Sequence, residues 1–262
     1  MTYVFDNGAV QARDRLTALA EVYDPSTIQH LSECGVADGW KCLEIGGGFG
    51  TIARWLSERV GPRGYVLTTD IDTRFLDALH LANVDVRRHD VLADPLPDET
   101  FDIAHARLVL EHLPDPDAAL DRMIATLRPG GWLVVEDLEL RPMNPESDDP
   151  LDRISKTTSA LRNVASEAGI HATLGPSLAH RLRARGLTQV GNEGRLRVCY
   201  GGGAAARLTR LNFEQLRDAI LATGSLTAEE FDGDLARLDD QQFAWRSPIL
   251  WTAWGRRPER AA

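Results

Sequence analysis

Three glycines at alternate positions stand between a predicted strand and a predicted helix, and they are the first sign of ligand-binding chemistry in this chain. Gly46, Gly48 and Gly50 follow the strand 42–45 and precede a helix that begins at Thr51. Glycine lets the chain turn tightly and lets a ligand touch the backbone, and a helix N-terminus offers free N–H groups. The dinucleotide pattern places its third glycine one position later. The spacing therefore favours a related but different ligand.

A carboxylate stands on each side of this loop. Glu44 lies just before it, where it would repel a pyrophosphate and attract an ammonium or sulfonium group. Asp70 ends the next predicted strand, where an acidic side chain typically accepts hydrogen bonds from ribose hydroxyls. S-adenosylmethionine carries both cations and a ribose, so the pattern predicts this cofactor. A turn cap for Glu44 and a helix cap for Asp70 are the alternatives.

The elements that must position these residues alternate between strand and helix from residue 40 onward. Predicted helices cover 51–60, 75–81 and 117–127, and the last is closed by a turn at 128–131. Such alternation is typical of βαβ units. We expect an α/β fold: a doubly wound, mostly parallel seven-stranded sheet with helices on both faces, plus N-terminal helices and a helical cap insertion. The first five predicted strands are 42–45, 65–69, 84–88, 101–106 and 132–136.

Four motifs occur in the order and spacing of one enzyme family: LEIGGGFG at the glycine loop, then TTDID, then RRHDVLADPLPDETFDIAHARLVLEHL, then LRPGGWLVVED. Residues 40–140 thereby resemble class I (Rossmann-like) S-adenosylmethionine-dependent methyltransferases. The resemblance is closest to the subgroup of ubiquinone- and menaquinone-biosynthesis enzymes and bacterial natural-product small-molecule methyltransferases. The rest of the chain fits this family only loosely.

The resemblance implies a role for each matching residue. Glu44 and the glycines of the loop 46–50 would hold the methionine part of the cofactor, and Asp70 would bind the ribose. The other implied cofactor contacts are Ile71 against the adenine, Asp90 to the adenine amino group, Val91 beside it, and Arg107 next to the methionine portion. The alternative role for Asp90 is to cap its own loop, and the alternative for Arg107 is a surface salt bridge.

The predicted organisation has two parts. Residues 1–38 form an N-terminal helical segment with a break at Asp24-Pro25, and this segment closes the cofactor site. Tyr3 and Phe5 are expected to help in that closure, since aromatic residues are unusual in a free tail; packing elsewhere is the alternative. Residues 39–262 form the Rossmann-like methyltransferase domain, with a helical insertion at about 142–170.

The predicted reaction is methyl transfer from S-adenosylmethionine to a small-molecule acceptor, with secondary metabolism as one setting. A hydroxyl oxygen is the first choice of acceptor atom, nitrogen the second and carbon the third. A hydroxyl needs a general base, and His112 is the candidate, with His171 as a rival and a structural helix-end histidine as the alternative. The other function classes considered are a nicotinamide-dependent oxidoreductase, a non-catalytic binding module and a macromolecular methyltransferase.

The composition of the chain disfavours several classes of binding partner. The net charge of −10 disfavours nucleic acid and anionic membranes, and no apolar run is long enough to span a bilayer. Three scattered cysteines predict neither a disulfide scaffold nor a metal site. These features predict a cytoplasmic enzyme. Trp245, Trp251 and Trp254 suit either a core or the interface of a homodimer.

Overall fold

The computed structural model describes residues 5, 8, 11–140 and 154–260. The chain divides into two compact units. The sheet unit comprises Asp24–Asp137, Leu174–Gly194 and Trp251–Ala262, and the helical unit comprises Met1–Tyr23, Leu138–Thr173 and Arg195–Leu250. The first boundary between the units, between Tyr23 and Asp24, lies inside the predicted N-terminal segment 1–38. The helical unit includes the described part of the predicted insertion, 154–170, together with 195–250, whereas residues 142–153 of that prediction lie outside the described residues.

Within the described residues the chain forms nine strands and eight α-helices. The strands are β1 (Lys41–Ile45), β2 (Tyr65–Asp70), β3 (Val84–Arg88), β4 (Phe101–Arg107), β5 (Leu127–Glu139), β6 (Thr188–Arg195), β7 (Val198–Tyr200), β8 (Ala244–Arg246) and β9 (Ile249–Arg256). The helices are α1 (Ala12–Glu33), α2 (Thr51–Val60), α3 (Pro116–Thr126), α4 (Ser155–Glu167), α5 (Leu178–Ala184), α6 (Ala204–Gln215), α7 (Arg217–Ala222) and α8 (Ala228–Arg237).

Seven strands form one sheet in the order β3-β2-β1-β4-β5-β9-β6. β1 pairs in parallel with β2 and β4, and β2 with β3 and β4 with β5 pair in parallel as well. The predicted α/β class and the mostly parallel seven-stranded sheet are confirmed. Because parallel strands end at one edge, the carboxyl ends of β1, β2, β4 and β5 meet there, which is where such sheets bind ligands.

The core of the sheet unit explains why α2 forms where it does. Ile52, Leu56 and Val60 recur at helical spacing and are buried, in one cluster with Cys42 and Val66 of the sheet. Burying each of these side chains stabilises the unit by about 1.5–3 kcal/mol. The helix therefore holds the glycine loop from its C-terminal side.

The predicted break at Asp24-Pro25 is wrong, because α1 is one helix that continues through Pro25. A proline inside a helix removes one backbone hydrogen bond and its ring crowds the carbonyl four residues before it, which destabilises the helix. Arg107 compensates from outside the helix: its guanidinium bonds to Asp24 and to Thr27, on the two sides of the proline. A tertiary ion pair thus preserves a helix that the local sequence would end.

Two further local predictions are wrong. Residues 75–81 form turns instead of a helix, since the buried Leu76 and Leu79 pack on Gly50 instead of forming a helical stripe. The segment 128–131 is part of β5 instead of a turn, and the ladder with β4 shifts register between Phe101 and Ile103 to accommodate it.

The helical unit has its own apolar core, in which Phe213, Phe231 and Trp245 are fully buried. β7 and β8 pair antiparallel beside this core. The sequence pattern does not predict the strands β6 and β8. Among the described helices, none is long and apolar enough to cross a membrane.

Candidate active site

The glycine loop has the backbone conformation that its spacing predicts. Gly46, Gly48 and Gly50 have φ values of 74°, 52° and 75°, in the left-handed region that favours glycine. The N–H groups of Gly46 and Gly47 donate to the Thr69 carbonyl at 2.7 and 2.9 Å. The loop is therefore pinned to the end of β2 while it turns away from β1.

Close packing is a second reason why glycine is needed at these positions. A Cβ on Gly46 would lie 2.2 Å from Cγ2 of Val109, and a Cβ on Gly47 would lie 2.2 Å from Oγ1 of Thr68. Val109 belongs to the turn that follows β4. The loop is thus in direct contact with the β4 turn, which we define as residues 108–112.

Asp70 closes the loop from the side of β2. One carboxylate oxygen accepts the Gly48 N–H at 3.0 Å, and the other accepts the Asp72 N–H at 3.0 Å. Burial raises the pKa of Asp70, and these backbone bonds oppose that rise. Each oxygen has a further lone pair for a hydroxyl donor. Ile71 follows with 55 % of its surface exposed, and offers an apolar face next to that carboxylate.

Glu44 lies behind the loop and is buried, with 3 % of its surface exposed. Its neighbour in the β4 ladder is His105, and the Thr68 hydroxyl donates to its carboxylate at 2.8 Å. Burial raises its pKa, and the nearby His105 and Arg107 charges oppose the rise. The carboxylate bonds to a strand residue, so the turn-cap alternative does not describe it.

A second buried carboxylate, Glu136 of β5, lies at the centre of a hydrogen-bond network. It accepts the Thr252 hydroxyl at 2.6 Å and the Thr27 hydroxyl, and His105 Nε2 lies 3.4 Å away. Burial alone would raise its pKa, but the hydrogen bond and charge of His105, the charge of Arg107 and the Thr252 bond together lower it to about 2. Glu136 is therefore a buried anion.

Arg107 is engaged in the same network. Its guanidinium donates to the Asp24 carboxylate and to the Thr27 hydroxyl, each at 2.7 Å. The side chain is 9 % exposed. The salt bridge considered for Arg107 exists, but it is nearly buried and holds α1 to β4, and a place beside the methionine portion stays a prediction.

Asp90 caps its own loop. Its Oδ1 accepts the Leu92 N–H at 2.8 Å, and its N–H donates to Asp94 at 2.8 Å. The loop-cap alternative is thus observed, and adenine recognition by Asp90 stays a prediction. The side chain of Val91 is buried in the core of the sheet unit, which leaves its backbone for a ligand.

His112 ends a single 3-10 turn, Leu110–His112, just after β4. Its side chain is 15 % exposed, and its Nε2 lies 3.5 Å from the Glu111 carboxylate. Glu111 is itself buried, and its N–H donates to Asp137 at the end of β5 at 3.2 Å. The structure thus places His112 at the carboxyl edge of the sheet.

Three further sequence-predicted residues have different outcomes. Tyr3 lies outside the described residues. Phe5 belongs to the helical unit, where it packs on the apolar core under the Arg15 guanidinium, 4.2 Å from the ring centroid. His171 is an exposed residue of the helical unit.

The sequence-based reasoning did not single out Glu111, Asp137, His105 or Glu136. For His105 and Glu136, however, the sequence did contain an indication of their importance. A charged side chain inside a central parallel strand is buried on both sides of the sheet, so it needs a partner.

Comparison with known proteins identifies the family. The family model described as "Methyltransferase domain" matches residues 10–190. The chain belongs to this family. The match confirms the class I S-adenosylmethionine-dependent methyltransferase assignment that the motifs predicted.

Known relatives are similar to this chain over part of their length. The chain is 33 % identical over 123 residues to the ubiquinone/menaquinone biosynthesis C-methyltransferase UbiE of Hahella chejuensis, and the match covers 44 % of this chain and 49 % of the relative. It is 38 % identical over 136 residues to methyltransferase str2 of Strobilurus tenacellus, covering 49 % and 46 %. The chain spans about half the length of the curated relatives it matches.

Solved structures share the fold. YcgJ from Bacillus subtilis has a TM-score of 0.61 at 15 % identity, over 90 % of this chain and all of that one. A Haemonchus contortus phosphoethanolamine N-methyltransferase 2, in complex with phosphomonomethylethanolamine and S-adenosylhomocysteine, has a TM-score of 0.61 at 16 % identity, over 99 % and 61 %. Identities this low speak for the fold alone.

The residues around the loop fit the cofactor of the family. The half-exposed Ile71 beside the Asp70 carboxylate suits a nucleoside, which has an apolar base face and ribose hydroxyls. The buried Glu44 suits a cation in front of the loop. The residues are therefore of the right chemistry for S-adenosylmethionine.

Proposed function

We propose that this chain transfers the methyl group of S-adenosylmethionine to a small-molecule acceptor. The observation that supports it best is the left-handed glycine loop, whose Gly48 N–H is held by the Asp70 carboxylate next to the half-exposed Ile71. The same few residues can then receive the ribose, the base and the amino-acid part of one ligand.

The cofactor, when bound, supplies an activated methyl group on its sulfonium sulfur. The protein's own contribution is to bind, orient and exclude water. Asp70 accepts from the ribose hydroxyls, Ile71 covers the adenine, and the glycine loop receives the methionine portion. Glu44 adds a negative charge behind the loop that favours the cationic form of the ligand.

His112 is the proposed base when the acceptor is a hydroxyl. Its imidazole would take the acceptor's proton, and the Glu111 carboxylate at 3.5 Å would orient the ring and stabilise the resulting cation. A carbon acceptor is the second proposal, because the named relative UbiE is a C-methyltransferase. The His112→Ala change is expected to reduce turnover about 10²-fold, and a reduction below about threefold would exclude the residue from proton transfer.

Cofactor binding is the first test. Calorimetry with S-adenosylmethionine and S-adenosylhomocysteine should show one site, and Asp70→Ala should weaken binding by at least about tenfold, the loss of one or two hydrogen bonds to ribose. Asp72→Ala is the matched control, because its carboxylate bonds to Arg74 on the surface. Absence of binding by the unchanged protein would refute the proposal.

Methyl transfer is the second test. Mass spectrometry of the protein with S-adenosylmethionine and a panel of phenols, amines, carboxylic acids and reduced quinones separates oxygen, nitrogen and carbon acceptors. The proposal that residues 1–10 close the site is tested alongside: their deletion should weaken cofactor binding severalfold, and unchanged affinity would contradict it. Cofactor binding without transfer to any of these acceptors would favour the binding-module alternative.

A further inference from the structure

The β4 turn holds a strained residue against the glycine loop. Leu108 has a φ of 55°, in the left-handed region that costs free energy for a branched side chain, and its N–H donates to the Glu136 carbonyl at 2.7 Å. Val109 follows, with its side chain in the space that a Cβ on Gly46 would fill. Something must keep the turn in this conformation.

Asp137 is the residue placed to do so. It follows Glu136 on β5, is fully buried, and accepts the Glu111 N–H at 3.2 Å. The Val109 N–H also donates toward its carboxyl. One backbone N–H of the β4 turn is thus bonded to this side chain and a second is directed at it, in a buried region where backbone groups need a partner within the protein.

The surroundings of this carboxyl favour its neutral form. Burial raises the pKa of Asp137 well above its ordinary value, and the negative charges of Glu111 and Glu136 raise it further. Its Oδ2 is buried with no hydrogen-bond partner among the described residues.

We propose that Asp137 is a positioning residue for methyl transfer, which fixes the β4 turn and thereby sets Val109 against the glycine loop and His112 at the sheet edge. The inference rests on the proposed function, because it assumes that the loop receives the methionine portion of the cofactor. It predicts a specific effect: loss of Asp137 should disturb the methionine end of the site and leave the nucleoside end intact.

The test compares two ligands that differ in that end. 5′-Methylthioadenosine keeps the nucleoside of S-adenosylhomocysteine but lacks its amino-acid portion. In Asp137→Ala, calorimetry should show S-adenosylhomocysteine binding weakened about tenfold or more, with 5′-methylthioadenosine binding changed less than about twofold. Asp137→Asn should retain most of the affinity, because the amide keeps a neutral group and an oxygen acceptor in place.

Two controls make the result decisive. Asp102→Ala removes a carboxylate that accepts the Lys41 N–H at 2.6 Å, at the opposite end of β4, and should change neither ligand's affinity. If Asp137→Ala does not fold, Val109→Ala tests the same contact and should show the same difference between the ligands. Equal losses for both ligands, or no loss, would overturn the inference. Failure of the unchanged protein to bind either ligand would instead refute the proposed function.

Discussion

Replacing Glu136 by glutamine tests whether the buried network is stabilised by charge. The ordinary carboxyl pKa of 4.5 falls to about 2 at this position despite complete burial. A difference of that size corresponds to about 3 kcal/mol of preference for the ionised form in the folded protein. Glutamine keeps the shape but removes the charge, so Glu136→Gln should lower the free energy of unfolding at pH 7 by about 3 kcal/mol.

The sign of the pH dependence follows from the same difference. A carboxyl whose pKa is lowered by folding contributes stability above its ordinary value, and that contribution is lost as the pH falls toward 2. Urea denaturation of the two proteins from pH 7 down to pH 3 measures it. The difference in the free energy of unfolding between wild type and Glu136→Gln should decrease steadily below about pH 4.5.

A milder variant calibrates the result. Thr252→Val removes only the 2.6 Å hydrogen bond to Glu136 and should cost about 1 kcal/mol at pH 7. Because this bond also helps to lower the Glu136 pKa, the cost should decrease as the pH falls below about 4.5. A loss below about 1 kcal/mol in Glu136→Gln, or a gap that does not change with pH, would show that the network tolerates a neutral group and that this reasoning is wrong.

Three other outcomes follow from the site. Gly46→Ala should abolish cofactor binding in calorimetry, because its φ of 74° and the Val109 methyl both exclude a Cβ; retained binding would contradict that geometry. Glu44→Gln should weaken the binding of the cationic S-adenosylmethionine more than that of the uncharged-sulfur S-adenosylhomocysteine, since it removes the buried carboxylate behind the loop; calorimetry with both ligands measures the difference, and equal losses would count against it. Burial also lowers the pKa of His89, so its contribution to stability is present near neutral pH and lost as the pH falls below its ordinary 6.5; a pH series on His89→Gln should show a smaller loss than wild type, and identical curves would refute the assignment.

Local patterns predicted the parts of this protein that local interactions decide. The strands β1 and β2 and the helix α2 follow from short apolar runs and helical spacing, and the glycine loop follows from the backbone angles that only glycine adopts readily. The position of Asp70 at the end of β2 belongs to the same class of inference.

Tertiary contacts decided the rest. Pro25 would end an isolated helix, but α1 continues because Arg107, which lies 83 positions from Asp24 along the chain, bonds to both sides of it. Leu76 and Leu79 have helical spacing, yet they cover Gly50 from a series of turns. The roles of Glu136 and Asp137 depend on partners from separate strands and helices, and no spacing within one element identifies such partners.

The buried network around Glu136 also constrains how this sequence can change. Arg107 pairs with Asp24, and His105 lies 3.4 Å from the buried Glu136, so losing one member leaves a buried or nearly buried polar group without its partner. Single substitutions should each be costly, while a joint replacement by apolar side chains should cost much less than the sum of the single effects. Because of such epistasis, substitutions at these positions would be tolerated together but not one at a time. Directed evolution, which accumulates single substitutions, should therefore find tolerated changes at other positions.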